Sequence, residues 1–88
     1  SGQFFENAIA AQLKPLGDIK YFQKKNGQEI DFILDGEKSF EVKETGTLVD
    51  LNTLEKRSKF IGINDYSLIS RYQPKDKIEK LIWAGSIF

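Results

Sequence analysis

Three charged side chains interrupt two otherwise apolar segments near the middle of the chain. Asp31 lies in QEIDFILD, and Glu41 and Lys43 lie in KSFEVKE. Carboxylates are preferred ligands of hard cations such as Mg2+, which they bind together with water and substrate phosphate. A lysine beside such an ion can position an attacking water or stabilise charge on a phosphoryl group in transfer. These residue types at this spacing indicate a candidate site for metal-assisted phosphoryl chemistry.

The composition excludes several other kinds of hydrolytic site. The chain contains neither His nor Cys, which rules out a Ser-His-Asp triad, a thiolate nucleophile and His- or Cys-based zinc sites. The lack of Cys favours a cytoplasmic protein, and no apolar run approaches the ~20 residues that span a membrane. The net charge of zero counts against strong autonomous DNA binding but is compatible with a local basic face.

The elements that must position these residues can be predicted from periodicity and turn signals. The length of 88 residues suits one domain, residues 1–88, and the lack of any Met suggests a fragment of a longer protein. Asn26-Gly27 is a strong hairpin signal, Pro15 ends the first helix near Lys14, and Asp50 is the expected N-cap of the second helix. The predicted elements are a helix in FFENAIAAQLKPL, strands in DIKYFQKK, QEIDFILD and KSFEVKE, a helix in TLVDLNTLEKRSKFI and a strand in YSLIS.

The tail IEKLIWAGSIF is ambiguous between a terminal strand and a short helix followed by a strand. The order is therefore α-β-β-β-α-β plus this tail. It predicts an α/β (α+β) fold in which a mixed four-stranded sheet is flanked by helices.

Side-chain alternation predicts which residues of the second and third strands share a face. We expect Ile30, Phe32 and Leu34 to point one way, together with Phe40 and Val42 of the third strand. Burying both apolar sets on one side fixes the pairing, because a slip of one residue would turn a whole face over.

The length of the turn decides whether the two carboxylates meet. A three-residue loop over residues 35–37 sets Phe32 opposite Phe40, Ile30 opposite Val42 and Asp31 opposite Glu41. A two-residue turn at Asp35-Gly36 would instead set Asp31 opposite Phe40, unless a bulge restored the pairing. The apolar pattern favours the longer loop. Two carboxylates brought together in this way share a proton or hold a cation.

The pattern D-(x9)-E-x-K between adjacent strands resembles the PD-(D/E)XK signature of the restriction-endonuclease-like superfamily, with Ile30 at the nominal Pro position. The element order also resembles the core fold of that superfamily. Glu6 matches the acidic residue that many members carry on the first helix, as in archaeal Holliday-junction resolvases.

A closer resemblance covers nearly the whole chain. The segments FFEN, YFQKKNGQEIDFIL, FEVKE and YSLISR are similar to the nuclease-like C-terminal region of a bacterial and archaeal AAA+ ATPase family. This resemblance implies that the ATPase domain lies upstream in the same protein.

The resemblance implies a role for each matching residue. Asp31 and Glu41 would bind Mg2+ or Mn2+, and the carbonyl of Val42 would complete the metal site. Lys43 would be the catalytic lysine, and Glu6 an auxiliary acidic residue.

Simpler interpretations remain open for several of these residues. The charged strand residues could form a solvated face with a cross-strand salt bridge, and Glu6 could be a helix-start carboxylate favoured by the macrodipole. Lys56, Arg57 and Lys59 are expected on the exposed face of the second helix. Lys56 and Lys59 are also candidates for the helix-borne basic residue that some superfamily members add.

Three functions from different classes are compatible with the sequence. The first is a Mg2+-dependent nuclease domain that cleaves DNA phosphodiesters and is attached to an AAA+ ATPase. The second is a catalytically inactive module that binds DNA or a partner and regulates the ATPase. The third is a homodimerisation domain that pairs through the terminal IWAGSIF segment.

Overall fold

The computed structural model describes residues 2–24 and 27–86. The helices and strands in these ranges are α1 Gly2–Leu13, β1 Ile19–Gln23, β2 Glu29–Leu34, β3 Lys38–Lys43, α2 Leu48–Phe60, β4 Asp65–Ser70 and β5 Leu81–Trp83. Two short 3-10 segments follow α1 and β5. The predicted order of helices and strands is confirmed. Asn26 of the predicted hairpin turn lies outside the described residues.

The strands form one mixed sheet in the order β1-β2-β3-β4-β5. The β1–β2 and β2–β3 pairs are antiparallel, whereas the β3–β4 and β4–β5 pairs are parallel. The expected count of four strands is therefore wrong, because Leu81–Trp83 in the ambiguous tail pairs with β4. A strand of three residues is too short to show the alternation from which strands are predicted.

One helix covers each face of the sheet. On the α1 face, Phe5, Ile9 and Leu13 pack with Phe32 and Phe40. The buried residues on the α2 face are Ile30, Ile33, Leu54, Ile63, Tyr66 and Leu68. Neither helix in the described ranges is long and apolar enough to cross a membrane.

The predicted three-residue turn between β2 and β3 is confirmed. Leu34 pairs with Lys38 and Phe32 pairs with Phe40, which leaves residues 35–37 as the loop. Asp35 and Gly36 both have positive φ angles, of 54° and 69°.

A bulge in β2 corrects the predicted faces. Lys20 of β1 pairs with Ile33 and Phe22 pairs with Ile30, so two steps along β1 match three steps along β2. The extra residue breaks the alternation, and Ile30 packs on the α2 face while Phe32 packs on the α1 face. The expected Ile30–Val42 pair on one face is therefore wrong, since Val42 packs with the α1 cluster.

The start of α2 also differs from its prediction. The N-cap is Thr47, whose hydroxyl accepts from the Asp50 N–H at 3.2 Å, and the Asp50 carboxylate accepts from the Thr47 N–H at 3.0 Å. Asp50 is thus the third residue of a capping box and not the cap itself. Thr and Asp both suit an N-cap. Only Thr47 is followed three residues later by an acidic residue, Asp50, which completes a capping box.

We expect Thr47→Ala to lower the free energy of unfolding by about 0.5–2 kcal/mol, because it leaves a helix N–H without its acceptor. Urea unfolding followed by circular dichroism measures this change. The matched variant is Thr53→Ala inside the same helix, where alanine has the higher helix propensity. We expect that variant to be neutral or stabilising, and an equal loss in both variants would contradict the capping role.

Candidate functional site

A reciprocal pair of hydrogen bonds joins Asp31 on β2 to Glu41 and Val42 on β3. The Asp31 N–H donates to Glu41 Oε1 at 3.0 Å, and the Val42 N–H donates to Asp31 Oδ2 at 2.8 Å. The backbone pairing of β2 with β3 ends at Phe32 and Phe40, next to these bonds. Side-chain carboxylates therefore take the place of backbone carbonyls at this point, and the two predicted site residues are in direct contact.

The proximity of the two carboxyl groups changes the acidity of Glu41. Burial, then the charge of Asp31 and hydrogen bonding with the Asp31 side chain, raise the pKa of Glu41 from 4.5 to about 8, although the bond from the Asp31 N–H and the charge of Lys43 act in the opposite direction. At neutral pH Glu41 therefore keeps a proton, unless a cation takes its place.

Lys43 lies beside the pair and is held by α2. Its Nζ is 3.9 Å from Asp50 Oδ1, while the other carboxylate oxygen of Asp50 accepts from Thr47. The Lys43 side chain is 41% exposed. The capping box thus fixes the carboxylate that holds the lysine, and the ammonium group stays accessible to a substrate.

Arg57 is a residue of the candidate site that the sequence prediction missed. Its Nη1 lies 4.0 Å from Glu41 Oε2 and donates to the carbonyl of Glu29 at 2.8 Å. We expected an exposed position, but Arg57 follows the buried Leu54 by three residues and so borders the apolar stripe of α2. This spacing is the signal that could have identified it.

The two lysines suggested for the helix-borne basic position do not reach the site. Lys59 pairs with Glu55 one turn earlier on α2, at 3.4 Å. Lys56 is exposed to solvent. Arg57 alone among these three cations contacts the carboxylate pair.

The candidate site includes a pocket between α2 and the sheet, with a volume of about 240 Å3. Its lining residues are Glu41, Lys43, Asp50, Thr53, Leu54 and Arg57. The carboxylates of Glu41 and Asp50 and the cationic groups of Lys43 and Arg57 therefore face one small space.

Glu6 approaches the pair from the α1 side. Its pKa is raised by partial burial and then by the negative charges of Asp31 and Glu29. The helix therefore brings a third carboxyl group near Asp31, while the pocket containing Lys43 opens on the α2 side. The placement agrees with an auxiliary role and requires no direct contact with Glu41.

The donor set at the pair can be tested against the needs of a metal ion. Within residues 2–24 and 27–86, no group of three or more Asp, Glu, His or Cys side chains is arranged to hold one. The second oxygens of Asp31 and Glu41 take no part in the reciprocal bonds. In an extended strand the N–H and C=O of one residue point to the same side, which directs the Val42 carbonyl towards Asp31. Two carboxylates and one carbonyl fit Mg2+, which normally keeps several waters.

Comparison with known proteins identifies no relative of this chain. No protein-family model, curated protein or solved structure matches the chain. The site is therefore interpreted from its own geometry.

The raised pKa of Glu41 predicts a fall in stability with rising pH. Between its ordinary value of 4.5 and about 8, the folded protein keeps a proton that the unfolded chain releases. Each pH unit in this window then favours unfolding, by up to about 1.4 kcal/mol. Urea titrations at about pH 5, 6.5 and 8 measure this slope.

Glu41→Gln tests the assignment, because its amide keeps the acceptor for the Asp31 N–H and carries no titrating proton. We expect this variant to lose most of the pH slope. Glu37→Gln, in the exposed turn before β3, is the matched control and should retain it. An unchanged slope in Glu41→Gln would contradict the assignment.

Proposed function

We propose that this chain is a metal-dependent nuclease domain with a restriction-endonuclease-like core, which cleaves DNA phosphodiesters and works as part of a larger AAA+ ATPase. The observation that carries the proposal is the pair Asp31 and Glu41, locked by reciprocal main-chain bonds, with Lys43 and Arg57 beside it. The α-β-β-β-α-β order and the D-(x9)-E-x-K pattern support it.

Each residue has a distinct part in this chemistry. A bound Mg2+ or Mn2+ would polarise a phosphate oxygen and lower the pKa of a coordinated water. Asp31, Glu41 and the Val42 carbonyl would hold the ion. The accessible ammonium group of Lys43 would orient the attacking water or stabilise negative charge on the phosphate.

Arg57 keeps Glu41 in place during this chemistry. Its guanidinium group connects the start of β2, through the Glu29 carbonyl, to the Glu41 carboxylate on β3. Because the two strands lack regular backbone pairing beside the site, this link helps to fix their separation. A constant separation keeps the two carboxylates at the distance that one ion requires.

One feature favours the alternative, a catalytically inactive module that binds DNA or a partner and regulates the ATPase. Lys43 already pairs with Asp50, and Arg57 lies within 4.0 Å of Glu41. With a proton on Glu41, the charges of Asp31 and Asp50 are balanced by those of Lys43 and Arg57 without a metal. An inactive module needs no more than this arrangement, whereas a nuclease must exchange the proton for an ion.

Cleavage of DNA tests the proposal directly. We expect supercoiled and branched DNA to be cut in Mg2+ or Mn2+. Asp31→Asn and Lys43→Gln should each reduce the rate at least roughly 100-fold, because the first removes a ligand charge that holds the ion and the second removes a positive charge that stabilises the transition state. Gel assays of initial rates provide the measurement.

The same strand and its neighbour offer matched controls. Lys38 and Asp65 form an ion pair of similar length, 4.0 Å, at the opposite end of β3. Lys38→Gln and Asp65→Asn should retain the wild-type rate. Equal cleavage by all four variants would mean that the activity comes from a contaminant, and the nuclease proposal would then be rejected.

Metal binding separates the two candidate functions. A cation that joins Asp31 and Glu41 must displace the proton held by Glu41, so we expect Mn2+ binding near pH 6.5 to release about one proton. Calorimetric titrations in two buffers of different ionisation enthalpy count that proton. Glu41→Gln should bind Mn2+ more weakly and release none. No binding at millimolar concentrations of Mn2+ would favour the inactive module.

A further inference from the structure

We infer that the segment joining β4 to β5 forms a binding surface for a single strand of nucleic acid with unpaired bases. This inference rests on the proposed function and adds to it the form of the substrate. The surface is called the strand groove below. It comprises residues 73–78 together with Thr45–Leu48 on one side and Leu81 and Trp83 on the other.

The strand groove consists of two adjoining hollows. Residues 74–78 line both of them, one of about 420 Å3 against Leu81 and Trp83 and one of about 350 Å3 against residues 45–48. Each volume falls within the range of about 300–1,000 Å3 that is usual for ligand pockets. The pocket beside Glu41 and Lys43, at about 240 Å3, is smaller than either hollow.

A network of hydrogen bonds joins the strand groove to the end of β3, where Lys43 lies. The Arg71 N–H donates to the Lys43 carbonyl at 2.9 Å, and the Tyr72 N–H donates to the Glu44 carbonyl at 2.8 Å. The buried Ser70 hydroxyl accepts from the Gly46 N–H at 2.9 Å and donates to the Tyr72 carbonyl at 2.6 Å.

The floor of the strand groove is continuous between its two sides. A β-carbon on Gly46 would come within 2.7 Å of Leu81 Cδ1, so the loop after β3 packs directly on the residue that lines the larger hollow. Thr45 follows Lys43 by two residues, which places their Cα atoms within about 8 Å. A strand in the groove therefore passes next to the proposed catalytic lysine.

Trp83 provides a rigid aromatic wall. A β-carbon on Gly85 would lie 2.3 Å from the six-membered ring, so the Gly85 backbone packs tightly against the indole. The Ser86 hydroxyl donates to the Trp83 carbonyl at 2.7 Å and fixes the turn that follows. Trp83 is nonetheless 38% exposed and lines the larger hollow. A fixed, partly exposed indole is well suited to stack on a base.

The charge of the strand groove favours a single strand over a duplex. Lys75 and Lys77 are exposed along it and outnumber Asp76, so phosphates are attracted only moderately. Duplex binding depends mainly on neutralising many phosphates. Stacking on an aromatic side chain instead requires an unpaired base. The combination of weak positive charge and an indole wall therefore selects unpaired nucleotides.

The chain's single tryptophan reports directly on this surface. We expect a single-stranded oligonucleotide to quench Trp83 fluorescence in EDTA, and to bind at least roughly tenfold more tightly than the duplex of the same sequence. By anisotropy of a labelled oligonucleotide, Trp83→Ala should weaken binding roughly 5- to 150-fold. Trp83→Phe retains a stacking ring and should lose much less.

The two lysines give a second, independent measurement. The double variant Lys75→Gln, Lys77→Gln removes two phosphate contacts, and it should reduce the salt dependence of single-strand binding by about 1.4 in slope. The matched double variant Lys14→Gln, Lys56→Gln removes two exposed lysines outside the groove. Its slope should equal that of the unmodified chain.

Three results would overturn the inference. They are equal affinity for the duplex, no quenching of Trp83 at saturation, and equal competition by an acidic peptide such as poly-glutamate, which would identify a protein-docking surface. Measurements in EDTA separate this inference from the nuclease proposal. Strand binding without cleavage in Mn2+ would reject the nuclease alone, and cleavage without strand preference would reject the strand groove alone.

Discussion

The reciprocal bonds that join Asp31 to Glu41 and Val42 are the constraint on which the rest of the site depends. Two carboxylates in contact repel each other unless a proton or a cation lies between them. Here the N–H groups of Asp31 and Val42 hold the pair together, and burial keeps water from separating the charges. Burial and the charge of Asp31 together raise the pKa of Glu41, and the link from Arg57 and the approach of Glu6 converge on the same pair.

The bulge in β2 explains how a sheet can present this pair and keep its core. A regular strand would place Ile30 and Phe32 on one face, and both apolar clusters need a residue from this part of β2. One extra residue between Ile30 and Ile33 supplies a side chain to each face. Bulges commonly occur beside functional sites, where they redirect a side chain, and this one lies at Asp31.

Sequence reasoning predicted the parts of the structure that are governed by local pattern. The element order, the loop over residues 35–37 and the Phe32–Phe40 pair follow from apolar periodicity and turn chemistry. The predicted face of Ile30 was wrong because the bulge cannot be detected from the periodicity of the sequence. Arg57 was missed because its partners, Glu41 and the Glu29 carbonyl, are distant in sequence. The spacing within α2 can place Arg57 beside the apolar stripe, but which residues of other elements it contacts depends on tertiary packing.

The charge of the site explains why a metal would matter to a phosphodiester substrate. Asp31, Glu41 and Asp50 carry three negative charges when ionised, against the two positive charges of Lys43 and Arg57. These five groups sum to zero while Glu41 keeps its proton and to −1 when it does not, and an ionised Glu6 makes either sum more negative by one. In neither state does the site attract a phosphate anion. A divalent cation that replaces the proton raises the sum by one, which favours the binding of a phosphodiester anion. The same ion that supplies the nucleophile would thus also make the site attractive to its substrate.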